Sequence, residues 1–347
     1  MEPIVDITSL STVELIRVIQ MRPPQWSLFT TLFKQQPASD KEVFEVHTVV
    51  RGQNAIPVVS NYSPGVLRQP EGWEIAQVKA PRFRTKREFR AADLIHTRQP
   101  GYTNYDTQPD PFQIALAYDL DKHRADHDYM LEIMCAQACV DARVVLYGLD
   151  NGVTSAKQII DFKRPASHVK NITNANNKWS KPDSDLIAQI EDGHRLIMED
   201  CNGMAATELI MGYKAWNAFR KHNDVKESID TTYRYANGGT IDRRINALNR
   251  GQWNGINLWV YNGWYLDVDG TKKYYIDENA ALLITRQADN VIQYARPVDL
   301  DCSGPTDYFV KAYKQDDPSG QFTVAESRPL PICFYPAWSV LYKNVSA

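Results

Sequence analysis

The chain has 347 residues, 43% of them hydrophobic and 23% charged, with a formal net charge of -3. One hydrophobic core stops growing near ~250–300 residues, so about two domains are expected, and the composition excludes disordered and collagen-like classes. The near-neutral charge excludes a global pull towards nucleic acid or an acidic membrane, leaving any such contact to a local patch.

No apolar run reaches the ~18–20 residues that span a bilayer. The start, "MEPIVDITSL", carries Glu2 and Asp6 and lacks the basic-then-apolar order of a signal peptide, so synthesis in the cytoplasm is expected. The five cysteines form no C-x-x-C pair. Cys135 and Cys139 lie four apart in an apolar helical run, where cysteine acts as a small buried hydrophobe.

In chain order, "STVE" at Ser11 to Glu14 is a capping box, with Leu10 and Leu15 at the staple positions. The helix it opens should stop near Gln20, because "RPP" at Arg22 to Pro24 cannot continue it. With "WSLFTTLF" after it, this forms an apolar arm too short to fold alone. From Lys41 the period changes to two: "EVFEVHTVV" places Phe44, Val46, Thr48 and Val50 on one side of a strand. A second extended stretch from Trp73 to about Arg90 suggests a long two-stranded excursion between Lys41 and Leu94. Such a ribbon is marginal in water unless it lies against a neighbour.

Asp110 and Pro111 make a helix start, and no Gly or Pro interrupts the run to Tyr147, with Gly148 as the stop. The spacing predicts a spine helix over 111–147, about 55 Å long at ~1.5 Å per residue. Beyond it, "NGVTSAKQIIDFKRPASHVKNI" reads as strand and turn. A compact α/β region follows: a helix over 185–199, a strand at "ATELIMG", a helix at "YKAWNAFRKH". Strands at "INLWVYNGWYLDV" and "KKYYIDENAALLIT" are joined by Asp269-Gly270, a strong hairpin signal. From Val291 the chain is irregular and strand-like.

Three stretches could carry chemistry. In "DLDKHRADHDYM", Asp119, His123 and His127 share one stripe of the spine helix and could in principle hold a metal. However, Arg124 stands where the zincin pattern needs Glu, and Asp121 and Asp128 point to the opposite side. The residues therefore read as a packed or partner-facing helix with a solvated acidic edge, and no metal or cofactor is expected. In "KAPRFRTKREFR", basic residues interleave with Phe83 and Phe89, a pattern that can track a phosphate backbone. As a strand it places Arg82, Arg84 and Lys86 on one side and Phe83 on the other, which fits equally an edge strand meeting an acidic neighbour or one protected by charge against wrong pairing. The mildly acidic remainder favours protein contact over nucleic acid. "DVDG" at Asp267 to Gly270 opens like a calcium loop, but its glycine comes too early and no Glu closes it, so it is a turn. No catalytic motif appears, and no catalytic residue is expected.

The order of elements, with "STVELI", "SDKEVFEVHTV", "NNKWSKPDSD", "DGTKKYYIDENAALLIT" and "FTVAESRPLPICFYPAWSVLYKNV", resembles the lambda-like branch of tailed-phage major capsid proteins, the phage major capsid protein E family. The resemblance implies an α+β, HK97-like major capsid fold. Its parts would be an N-terminal arm (1–38), an extended E-loop (39–98), a peripheral P-domain (99–183 and 291–325) built on the spine helix, and an axial A-domain (184–290 and 326–347). It implies self-assembly into hexamers and pentamers of an icosahedral head in the virion, enclosing double-stranded DNA without sequence specificity. Implied partners are scaffolding protein, portal protein and a small decoration protein, with no membrane. Leu10, Leu15, Phe44, Val46, Arg82, Arg84, Lys86, His123 and His127 would then be intersubunit contacts. Two alternatives stand beside it: an encapsulin-type nanocompartment shell, and a metal-dependent enzyme using Asp119, His123 and His127.

Overall fold

The computed structural model describes residues 27–49, 73–90, 111–150, 153–200, 203–228, 247–286, 288–315 and 320–346. The capping-box helix with Leu10 and Leu15, and the tip of the excursion, lie outside the described residues. In chain order, strands β1 (Lys34–Gln35), β2 (Val43–Val49), β3 (Trp73–Lys79) and β4 (Phe83–Arg90) precede the long helix α1 (Pro111–Val140). Next come β5 (Arg143–Asp150), β6 (Val153–Asp161), β7 (Val169–Asn171), α2 (Leu186–Asp200), β8 (Glu208–Met211), α3 (Tyr213–Lys221) and α4 (Asn223–Ser228). They are followed by β9 (Leu248–Trp253), β10 (Ile256–Val260), β11 (Trp264–Leu266), β12 (Lys272–Tyr274) and β13 (Ala281–Ile284). The last five strands are β14 (Val291–Tyr294), β15 (Phe309–Gln315), β16 (Gly320–Ser327), β17 (Pro329–Ile332) and β18 (Ser339–Lys343). The chain divides into two compact units: 1–43, 79–135 and 291–331 form the first, and 44–78, 136–290 and 332–347 the second.

In the first unit, β15, β16 and β4 form an antiparallel sheet with β16 in the middle, and β1, β14 and β17 form a smaller sheet. Leu116 and Leu120 of α1 pack with Tyr308, Val310 and Ala325 of the larger sheet. The buried carboxylate of Glu132, also on α1, holds the segment before β1. It accepts from Phe29 N at 3.1 Å, Thr30 N at 2.8 Å and the Thr30 hydroxyl at 2.7 Å. A three-residue helical turn has unpaired N–H groups at its start, and the carboxylate satisfies two of them.

The expected continuous stretch from Trp73 to Arg90 is two strands. The strand β3 pairs with β2, whereas β4 pairs with β16. The break falls at Ala80 and Pro81, both buried, where proline offers no N–H to continue a ladder. Buried Arg328 holds this pivot, donating to Ala80 O at 3.2 Å, to Glu42 Oε1 at 3.1 Å and to Arg296 O at 3.0 Å.

The spine helix ends at Val140, seven residues short of the expected Tyr147. Ala142 takes a left-handed conformation at φ 50, which terminates the helix without glycine. The guanidinium of Arg164 covers the last carbonyls, donating to Val140 O at 2.6 Å and also to Cys139 O. Val144 and Val145, β-branched and suited to a pleated surface, then enter the β5–β6 hairpin opposite Ile160 and Ile159.

The second unit is organised on a six-stranded sheet of order β7-β18-β13-β8-β10-β9. Its core gathers Trp179, Ile190, Leu209, Phe219, Leu283 and Tyr342 among others, all with at most 1% exposure. Helix α2 comes close to that sheet at Gly193, where a Cβ would lie 1.9 Å from Tyr342 Oη. The α2, β8 and α3 elements fall where the sequence placed them. The strand expected over "INLWVYNGWYLDV" is interrupted at Tyr261 to Gly263, giving β10 and β11. Asp269-Gly270 does make the hairpin turn between β11 and β12, with Gly270 at φ +79. Asp267 N donates to Thr271 O across it, so "DVDG" is a turn. Cys135, Cys139, Cys302 and Cys333 are buried thiols. Burial pushes the Cys333 thiol up to about 11.

Candidate assembly surfaces

The edge strand β4 carries the basic run. Its residues alternate as period two requires: Arg84, Lys86 and Glu88 are exposed, while Phe83, Thr85 and Arg87 are partly covered. The acidic neighbour expected for the arginines is supplied by their own chain. Glu326 on β16, fully buried, accepts from Arg82 at 2.7 Å and Arg84 at 3.1 Å, while its other oxygen accepts from Val298 N at 2.8 Å. Arg84 also reaches Asp299 at 3.2 Å, and Lys311 donates to Asp299 at 2.8 Å. Burial pushes the Asp299 carboxyl up, but the Lys311 bond, the Asp301 N–H and the charges of Lys311 and Arg84 together hold it below its ordinary value. The arginine side chains stay 42% and 34% exposed, so each keeps a face towards solvent. Lys86 lies over the Phe322 ring at 3.8 Å and the Tyr313 ring at 5.6 Å from the centroids.

On the covered face, Thr85 meets the two histidines of α1. Its hydroxyl is 2.6 Å from His123 Nδ1 and 3.4 Å from His127 Nε2. His123 Nε2 lies 3.1 Å from the Thr323 hydroxyl, which donates to Asp119. Both rings are buried, so the expected contact with a neighbouring copy is corrected: Thr85 and Thr323 meet the ring nitrogens instead. Burial, and then the charge of His123, lower the His127 pKa to about 4. Asp128 is also corrected. Expected on a solvated edge, it is buried, accepting from the Tyr308 hydroxyl at 2.7 Å and from Arg124 at 3.1 Å. Arg124 in turn lies 4.0 Å over the Tyr308 ring. No group of three or more His, Cys, Asp or Glu side chains among the described residues could hold a metal ion.

Phe44 on β2 is buried at 6% exposure, beside exposed Val43 and Glu45. Val46 lies in the same strand, and Leu10 and Leu15 lie outside the described residues. Sequence reasoning missed Glu326, Asp299 and Glu132, which organise these surfaces. The alternation of β4 was the only signal, since Arg82 and Glu326 are 244 positions apart.

The model of the phage major capsid protein E family matches residues 11–343. The chain belongs to that family. Among solved structures, a prophage capsid protein of Escherichia coli CFT073 is similar over 96% of this chain and 98% of its own, at 20% identity and a TM-score of 0.70. The capsid protein of cyanophage P-SCSP1u covers 94% of this chain and 90% of its own, at 13% identity and a TM-score of 0.50. The SrpI encapsulin of Synechococcus elongatus PCC 7942 has the same coverage and TM-score at 10% identity. Compared by sequence with curated proteins, the chain matches none. The fold is the HK97-type capsid fold, and this member of the family is a phage capsid protein, a component of the virion. Among the described residues no helix is long and apolar enough to cross a membrane.

Proposed function

We propose that the chain is the major shell subunit of a phage head, assembling into hexamers and pentamers that close an icosahedron around double-stranded DNA. The family match over residues 11–343 carries this reading. Residues 1–38 would act as arm, 39–98 as E-loop, 99–183 with 291–325 as peripheral domain, and 184–290 with 326–347 as axial domain. Ribbons and arms that cannot cover their apolar faces alone cover them on neighbours, and closed symmetry repeats each modest contact many times. Arg82, Arg84 and Lys86, held at a sheet edge yet still partly open to solvent, would contact an adjacent copy, as would Val46, Leu10 and Leu15, whereas Phe44 is covered by its own chain. Scaffolding, portal and decoration proteins are the proposed partners, with synthesis in the host cytoplasm and no catalytic role.

A nanocompartment shell remains the second reading, because an encapsulin shares the fold. Purified wild-type chain should elute as hexamers or larger particles and give shells under the electron microscope. Native particles should protect double-stranded DNA from nuclease. A stable monomer at high concentration would refute the shell, and protein cargo in place of DNA would move the chain to the second reading.

A further inference from the structure

Among the described residues, five of the ten exposed large apolar side chains of the second unit lie at two places of opposite form. One is the β11–β12 ribbon. Trp264 and Leu266 are 52% and 62% exposed and share one side of β11 by the period of a strand, and Val268, 49% exposed, follows in the turn. Lys272 joins that face, opposite Leu266 in the ladder and 4.8 Å over the Trp264 ring. The reverse face is anchored to its own unit: Tyr265 and Tyr275 are in ring contact at 5.2 Å, Tyr261 and Tyr275 at 5.3 Å, and Lys273 is paired with Asp267. The ribbon is thus fixed on one side and displays a cationic, aromatic face on the other.

The second place is a recess of about 640 Å³ along α2, lined by Glu191, His194, Arg195, Met198, Glu199 and Gly203. Met198 is 43% exposed, and Met204 beyond it 40%. Arg195 is held by Asp192 and Glu199 at 2.7 Å each and Lys170 pairs with Asp192 at 3.0 Å, so with Glu191 the rim keeps an excess of one carboxylate. Burial lowers the pKa of His194, against the opposing charge of Glu191. No residue of the ribbon lines this recess.

We infer that the outer face of the β11–β12 ribbon docks into the α2 recess of a second copy of the chain, with Trp264 and Leu266 against Met198 and Lys272 against Glu191. The two surfaces complement each other in charge, and thioether sulfur makes favourable contacts with aromatic rings. Two different surfaces of one unit that fit each other give a heterologous contact, the kind that closes into a ring when repeated. The inference rests on the shell reading and names one of its contacts.

The direct test places a benzophenone amino acid at position 266, which is exposed, and irradiates assembled particles. Covalent dimers and higher species should form, with the tryptic peptide Leu196–Lys214 as the partner. In parallel, Lys272→Glu should lower particle yield at least tenfold, and Glu191→Lys in the same chain should restore it to within about threefold. Particles whose crosslinks from position 266 never reach residues 196–214 would overturn the contact while leaving the shell intact. Particles of Lys272→Glu at wild-type yield, or no rescue, would also overturn it. A wild-type chain that stays monomeric would instead remove the shell reading, and this contact with it.

Discussion

Acidification should weaken the first unit through one side chain, His127. Burial and the neighbouring His123 lower its pKa to about 4, whereas in the unfolded chain it titrates near ~6.5. Between those values the unfolded state binds a proton that the folded state refuses, so stability rises with pH across the window. The contribution is complete above about pH 6.5 and is lost as pH falls towards 4. At ~1.4 kcal/mol per unit, the full loss is about 3 kcal/mol. Urea unfolding of the wild type and of His127→Gln, measured near pH 7 and again at about pH 4.5, isolates the effect, because other carboxylates and histidines titrate in both. The substitution should cost stability near neutrality, where the Thr85 and Ala325 contacts are lost. That cost should shrink by roughly 2–3 kcal/mol on acidification. Parallel pH curves for the two proteins would refute the assignment of this ring as the proton-refusing group.

Three further outcomes follow from buried contacts. Glu326→Ala leaves Val298 N without its acceptor and takes one acceptor each from Arg82, which keeps Val298 O, and Arg84, which keeps Asp299. Because the arginines are partly exposed and can rehydrate, the cost should be about 2–4 kcal/mol, read as faster amide exchange along β4; unchanged protection would contradict the clasp. Glu132→Ala removes three hydrogen bonds from the segment before β1. It should lower stability by about 3 kcal/mol and expose residues 27–36 to limited proteolysis, and a wild-type digestion pattern would count against that anchor. Gly193→Ala drives a Cβ against Tyr342 Oη. An overpacking cost of ~1–3 kcal/mol is expected in thermal unfolding, partly relieved by adding Tyr342→Phe; no relief would place the strain elsewhere.

What could be read ahead of the structure were the features set by neighbours in sequence. The period of β4, the Asp269-Gly270 turn and the α2, β8 and α3 succession each depend on residues within a turn or two. The spine helix ends earlier than its sequence predicts, because nothing local, neither Gly nor Pro, stops it before Gly148. What stops it is Arg164, more than twenty positions away, and a left-handed Ala142. The fate of His123 and His127 was equally hidden: stripe geometry puts them on one face but cannot say that Thr323, 200 positions on, covers it. Asp128 shows the same limit, since its partner Tyr308 lies 180 positions away. The resemblance to a family reached further than these local rules because element order is a property of the whole chain.

The strands that complete each unit are encoded late. The middle of the β15-β16-β4 sheet is filled by residues 320–327, and β18 enters between β7 and β13 with residues 339–343. Until residues 320–343 are present, β4 and β7 each lack the strand they pair with, so both sheets stay open together. A chain interrupted before residue 320 would leave both of these strands unpaired, and one cut would unmake the two units at once.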